Sequence, residues 1–181
     1  NDIARKKVWP PVDGQTLVNI KIDANDDGEI TVAEASLVRA LKVQNSGIHS
    51  VQGFELFLDL ESLRCENNQI ASIDLGDVGA QQNSQFYLYC ENNVLTAVEF
   101  GNLTRPLFLY ADNNLLTGFD FSGMEYALQI ECSNNPISTI NTGNYNQLIY
   151  LECNNTPVTS IDISDNSGCE IFYARNNPNL T

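Results

Sequence analysis

A chain of 181 residues that is 43% hydrophobic and 18% charged suits a single globular domain and excludes a disordered or fibrous polypeptide. Its net charge of −14, from 23 acidic against 9 basic residues, repels nucleic acid and anionic membrane surfaces and leaves cations and basic or neutral ligands as the easier partners. No apolar run approaches the roughly 18 residues needed to span a bilayer. The chain opens at Asn1 without a Met or an apolar export segment, as expected of a mature or trimmed chain.

Residues 1–37 are read as an N-terminal cap. Within it, TLVNIKI (16–22) suits a short helix or a strand, and TVAEASLVRAL (31–41) looks helical. Between them, residues 23–34 read DANDDGEITVAE, which satisfies D-x-[DN]-x-[DN]-G-x₅-E at every specified position. The spacing has a mechanism. Asp23, Asn25 and Asp27 supply side-chain oxygens, Gly28 permits the sharp turn, Glu29 offers its carbonyl, Thr31 acts through water, and Glu34 binds through both carboxylate oxygens. The loop resembles an EF-hand calcium loop, with Ile30 at the usual apolar position; EF-hands normally pair, and here there is one. The expected cofactor is Ca²⁺ in a structural role, ordering the cap; the competing reading is a merely acidic loop.

From residue 38 onward the chain repeats itself. LESLRCENNQI (60–70), QFYLYCENNVL (85–95), PLFLYADNNLL (106–116), ALQIECSNNPI (127–137), LIYLECNNTPV (148–158) and CEIFYARNNPN (169–179) align without gaps. Their central residues are Cys65, Cys90, Ala111, Cys132, Cys153 and Ala174, giving one step of 25 and then steps of 21. The four extra residues fall in the Gly76–Ser84 stretch. A degenerate copy, VRALKVQNSGI (38–48), makes about seven turns.

Alternation along a strand turns Leu63, Leu88, Leu109, Ile130, Leu151 and Phe172 inward, together with the small residue two positions on. A slot that accepts only Val, Cys or Ala has little space, so four cysteines are expected as small buried hydrophobes rather than disulfide partners, and Cys169 is given the same reading. Asn68, Asn93, Asn114, Asn135 and Asn177, with Thr156 as the exception, are expected to bond backbone groups of neighbouring turns. Extended, turn or short 3₁₀ segments should cover the back, because 21 residues leave little room for helices.

The pattern L-x-x-L-x-L-x-x-N/C-x-L resembles the leucine-rich repeat over residue 38 to the C-terminus. The form L-x-C-x-N-N-x-[LI] is similar to repeats of surface and secreted proteins of Bacteroidetes-type bacteria. The resemblance implies an α/β-type right-handed solenoid (residues 38–181) with a parallel sheet on its concave face and little helix beyond the N-terminal cap. It also implies adhesion or protein interaction at a cell surface.

On the expected concave face, Tyr87, Tyr89, Phe108, Tyr110, Tyr150 and Tyr173 lie beside Glu91, Asp112, Glu131 and Glu152. Solvated large aromatics beside carboxylates suit a protein or peptide ligand, preferably basic, and a face about 30 Å long accommodates roughly nine extended residues. Rings could equally stack on a glycan, or simply on one another to stabilise neighbouring strands. Catalysis is not expected: His49 stands alone in a turn, and a carboxylate pair such as Glu131 and Glu152 follows from repetition on an open face. A spacer role, or self-association through the uncapped C-terminal end, is a further alternative. Location at the cell surface or outside the cell is expected, with any export signal or lipid anchor upstream of Asn1.

Overall fold

The computed structural model describes residues 7–8, 20–76, 78, 84–101, 103–121, 126–143 and 147–181; for 7, 8, 20, 21 and 55 only the backbone is described. The expected insertion between Gly76 and Ser84 lies largely outside the described residues, as do residues 16–19. Where TLVNIKI enters the described part it is a strand, β2 (Ile20–Lys21), antiparallel to β1 (Lys7–Val8). The helical expectation for 31–41 is corrected. Helix α1 covers only Val32–Ala35, opened by a capping box between Thr31 and Glu34, and the chain then enters β3 (Ala40–Lys42). Val38 and Leu41, three apart, have helical spacing, but pairing with neighbours overrides it: β3 lies antiparallel to β1 and parallel to the next coil.

That coil brings β4 (Ser62–Arg64) and β5 (Ser72–Asp74), and the next β6 (Phe86–Tyr89) and β7 (Ala97–Glu99). The remaining coils give β8 (Leu107–Tyr110), β9 (Gly118–Asp120), β10 (Ala127–Glu131), β11 (Thr139–Asn141), β12 (Tyr150–Glu152), β13 (Ile161–Asp162) and β14 (Ile171–Tyr173). The large sheet runs β14-β12-β10-β8-β6-β4-β3-β1-β2, so seven parallel strands, β3 among them, bound six complete coils. The back is covered by extended segments that themselves pair, as β5-β7 and as β9-β11-β13. Helix among the described residues is confined to α1 and one 3₁₀ turn, Phe54–Leu56. The molecule is a parallel β-solenoid of the leucine-rich-repeat type.

Its core is a stack of rungs. Leu63, Leu88, Leu109 and Leu151 are fully buried, as are Cys65, Cys90, Ala111, Cys132 and Cys153, and Ile22, Ala35 and Val38 of the N-terminal segment join the same apolar cluster. All five cysteines are free thiols. Each ladder thiol donates to the strand carbonyl of the following coil, as Cys90 Sγ does to Tyr110 O at 3.3 Å. Burial raises their pKa, Cys153 to about 11. Three inward expectations fail at the last described coil: Phe172 is 38% exposed, and Cys169 and Ala174 are only half-buried, because no described coil stacks on that side of them.

The asparagine ladder is a set of clamps. Asn114 Nδ2 donates to Ala111 O in its own coil and Cys90 O in the preceding one, while its Oδ1 accepts from Leu95 N. Thr156 donates to Cys153 O and meets Asn177 Oδ1, in its own and the following coil. The Asn before each clamp residue has its own task, which the repeat alignment alone does not reveal. Asn67, Asn92, Asn113, Asn134, Asn155 and Asn176 all take φ between +55° and +57°, turning the chain out of the strand in a conformation that Asn tolerates better than most residues.

Candidate functional site

Strand register sets three rows on the solvent face of the large sheet. Ser62, Tyr87, Phe108, Gln129, Tyr150 and Ile171 are in register in one row, and Arg64, Tyr89, Tyr110, Glu131, Glu152 and Tyr173 in the next. Two residues further along the same face follow Glu66, Glu91, Asp112, Ser133, Asn154 and Arg175. The expected site residues therefore come together on one face.

Adjacent coils place identical positions about 4.8 Å apart, which is a stacking distance for rings. Tyr89 and Tyr110 stack with centroids 4.6 Å apart and planes 1° from parallel, and Tyr87 and Phe108 stack at 4.6 Å and 15°. The four rings form a two-by-two platform, closed across the strand by Tyr87 and Tyr89 at 6.4 Å. Tyr150 and Tyr173 meet edge to face at 5.9 Å, two coils away. The sequence reading named the rings but not what covers them. The Arg64 guanidinium lies 4.4 Å over the Tyr89 ring while Nε reaches Glu66 Oε1 at 3.2 Å, and Arg175 lies 4.8 Å over Tyr173.

The carboxylates beside the platform are held in a difficult environment. Burial, opposed by the residue's own backbone amide and reinforced by neighbouring Glu66 and Asp112, pushes Glu91 up to about 7. Burial likewise lifts Asp112 to about 6 and raises Glu131, although Gln129 donates to Glu131 Oε1 at 2.7 Å. Glu152 accepts from the Tyr150 hydroxyl at 2.5 Å and from Asn154 Nδ2 at 2.7 Å. Along the row Arg64, Tyr89, Tyr110, Glu131, Glu152 the surface passes from cation through aromatic to anion.

The second expected site is the 23–34 loop. Asp23 is 7% exposed, and its carboxylate accepts from Asp27 N and Gly28 N at 3.2 and 3.0 Å. Asp27 Oδ1 accepts from Glu29 N, and Asn25 Nδ2 donates to Asp27 Oδ2. Glu34 ties the two ends, accepting from Ala24 N at 2.8 Å and Thr31 N at 2.9 Å, and these hydrogen bonds hold its carboxyl below the usual range. Gly28 at φ +86° makes the bend. The donor set is all hard oxygen, and an oxygen that accepts one amide proton keeps another lone pair, so the residues fit a calcium ion chemically. Among the described residues, however, no three Asp, Glu, His or Cys side chains converge as a metal-ligating group. His49 is exposed, and no described helix is long and apolar enough to cross a membrane.

No family model matches the chain. No curated protein matches it either. Among solved structures, it is similar to the functional domain of InlJ from Listeria monocytogenes, described as including a cysteine ladder. The two share 22% identity with a TM-score of 0.69 over 84% of this chain, which spans only 33% of that chain's length. At that identity the likeness speaks for the fold: this chain folds as a leucine-rich-repeat-type solenoid.

Proposed function

We propose that this solenoid is a non-catalytic binding module that receives an extended protein or peptide segment along the solvent face of its large sheet, as an adhesion or interaction domain at a bacterial cell surface. The observation that carries this reading is the stacked platform of Tyr87, Tyr89, Phe108 and Tyr110 beside Glu91, Asp112 and Glu131. Rigid rings offer contact area at small entropic cost, and the sheet's length suits an extended chain. A random nonapeptide display library, panned against the wild type and the Tyr89→Ala/Tyr110→Ala double variant, tests it. Peptides that bind only the wild type, with the double variant still folded, support the site. Peptides bound equally by both, with a lowered Tm for the variant, assign the rings to strand stabilisation instead. A glycan array run beside the library separates a carbohydrate ligand from a peptide.

The second element of the reading is calcium in the 23–34 loop. Asp23, Asn25, Asp27 and Glu34 would hold the ion through side-chain oxygens, with the Glu29 carbonyl and Thr31 completing the set; bound calcium would tie the loop ends together. The sequence spacing and the pre-bent Gly28 support this. Tm is expected to rise by several degrees with millimolar calcium and to fall with chelator. An unchanged melt in both conditions rejects the role. An abundance of extracellular calcium agrees with an exported location.

A further inference from the structure

The solvent face of the sheet already contains two guanidinium groups, and both lie on a tyrosine ring. Arg64 lies on the Tyr89 ring with its Nε at Glu66, and Arg175 lies on the Tyr173 ring. Planar stacking on a ring together with a carboxylate contact is the mode in which arginine, rather than lysine, is recognised. Between these two residues the sequence contains one other basic residue, Arg105. It is 3% exposed, donates to Leu60 O and stacks on Phe86, so it does not serve this face.

The middle of the face therefore repeats the arrangement without its cation. Tyr110 has one face against Tyr89, and the next two positions in its row are Glu131 and Glu152, with Asp112 two residues along its own strand. Among the described residues no cation lies over Tyr110. Resting on the peptide-binding reading above, we infer that Tyr110, Glu131, Glu152 and Asp112 form a seat for an arginine side chain of the bound polypeptide, with Arg64 on Tyr89 as the chain's own copy of the interaction. Charge complementarity points the same way: the net charge is −14, and burial holds Glu131 and Asp112 above the usual carboxylate range, a cost that an adjacent guanidinium would relieve.

The peptides selected from the nonapeptide library provide the test. Those that depend on Tyr89 and Tyr110 should be enriched in arginine over lysine. For one such synthetic peptide, citrulline or lysine in place of the arginine should weaken binding about tenfold. Glu131→Gln/Glu152→Gln should lose a similar factor for the arginine peptide while leaving the citrulline peptide unchanged. Arginine and lysine peptides that bind equally, or an arginine peptide insensitive to the paired Gln substitutions, overturn the seat but leave the peptide-binding reading standing. A library that yields no peptide dependent on Tyr89 and Tyr110 overturns both. Circular dichroism melts of each variant establish that the losses belong to binding.

Discussion

The middle coils and the last coil are written in almost the same letters and live in different solvents. Leu109 and Ala111 are fully buried between neighbours on either side, whereas their counterparts Phe172 and Ala174 are respectively 38% exposed and half-buried. A repeat does not possess a core of its own; it acquires one from the coil stacked upon it. The same holds for the clamps. Asn114 is 4% exposed and bonds both its own coil and the one before, while Asn177 is only half-buried.

The sharpest way to break this comparison is a pair of core truncations. Leu109→Ala should cost roughly 3 kcal/mol, as a fully enclosed leucine does, whereas Phe172→Ala should cost less than about 1.5 kcal/mol despite removing more atoms. Urea unfolding of the two variants checks the order, and equal losses would show that burial at the last coil is as complete as in the middle. Next in size are the clamps. Asn114→Ala leaves the Cys90 and Ala111 carbonyls and the Leu95 amide short of a partner and should cost about 2 to 3 kcal/mol, with Asn177→Ala nearer 1 kcal/mol.

The smallest effect is electrostatic and separates the sheet face from the rest of the surface. Glu91 binds its proton more tightly folded than unfolded. The stability this confers is complete below its ordinary value of 4.5 and is lost as pH rises through about 7. Asp112 acts in the same sense, ending near 6. Glu34 and Asp162, whose hydrogen bonds lower their pKa, act oppositely and lose their contribution as pH falls below the ordinary carboxylate range. Tm should therefore peak near the ordinary carboxylate values and decline toward pH 8. Glu91→Gln should flatten the decline, and a Tm that still drops equally in this variant would assign it to other groups.

Much of the fold was legible because repetition turns weak signals into strong ones. One Cys among hydrophobics says little, but Cys65, Cys90, Cys132 and Cys153 sharing a slot with Ala111 state the size of the space. The period also carried the rows of the sheet face, since equal spacing puts Tyr89 beside Tyr110 and Glu131 beside Glu152. Where repetition stops, the reading weakened. The run 31–41 has helical spacing, yet only Val32–Ala35 is helical, since β3 gains a partner in β4 that a local pattern does not reveal. The spacing puts Arg64 in the row of Tyr89, but its place on that ring depends on side-chain direction. Arg105 is buried against Phe86 and donates to Leu60 O, 45 positions away, a contact with no periodic signature at all.

The thiol ladder has a consequence for how this protein meets oxidants. Each of the four core sulfurs is sealed from solvent and disfavoured as a thiolate, the form that attacks disulfides and peroxides. The four ladder thiols of the folded chain are thus indifferent to the redox poise around them, and the half-buried Cys169 is the one thiol left within reach of an oxidant. For the ladder, vulnerability is confined to the interval before the coils close, so reductant should govern the yield of refolding and leave the four finished core thiols untouched.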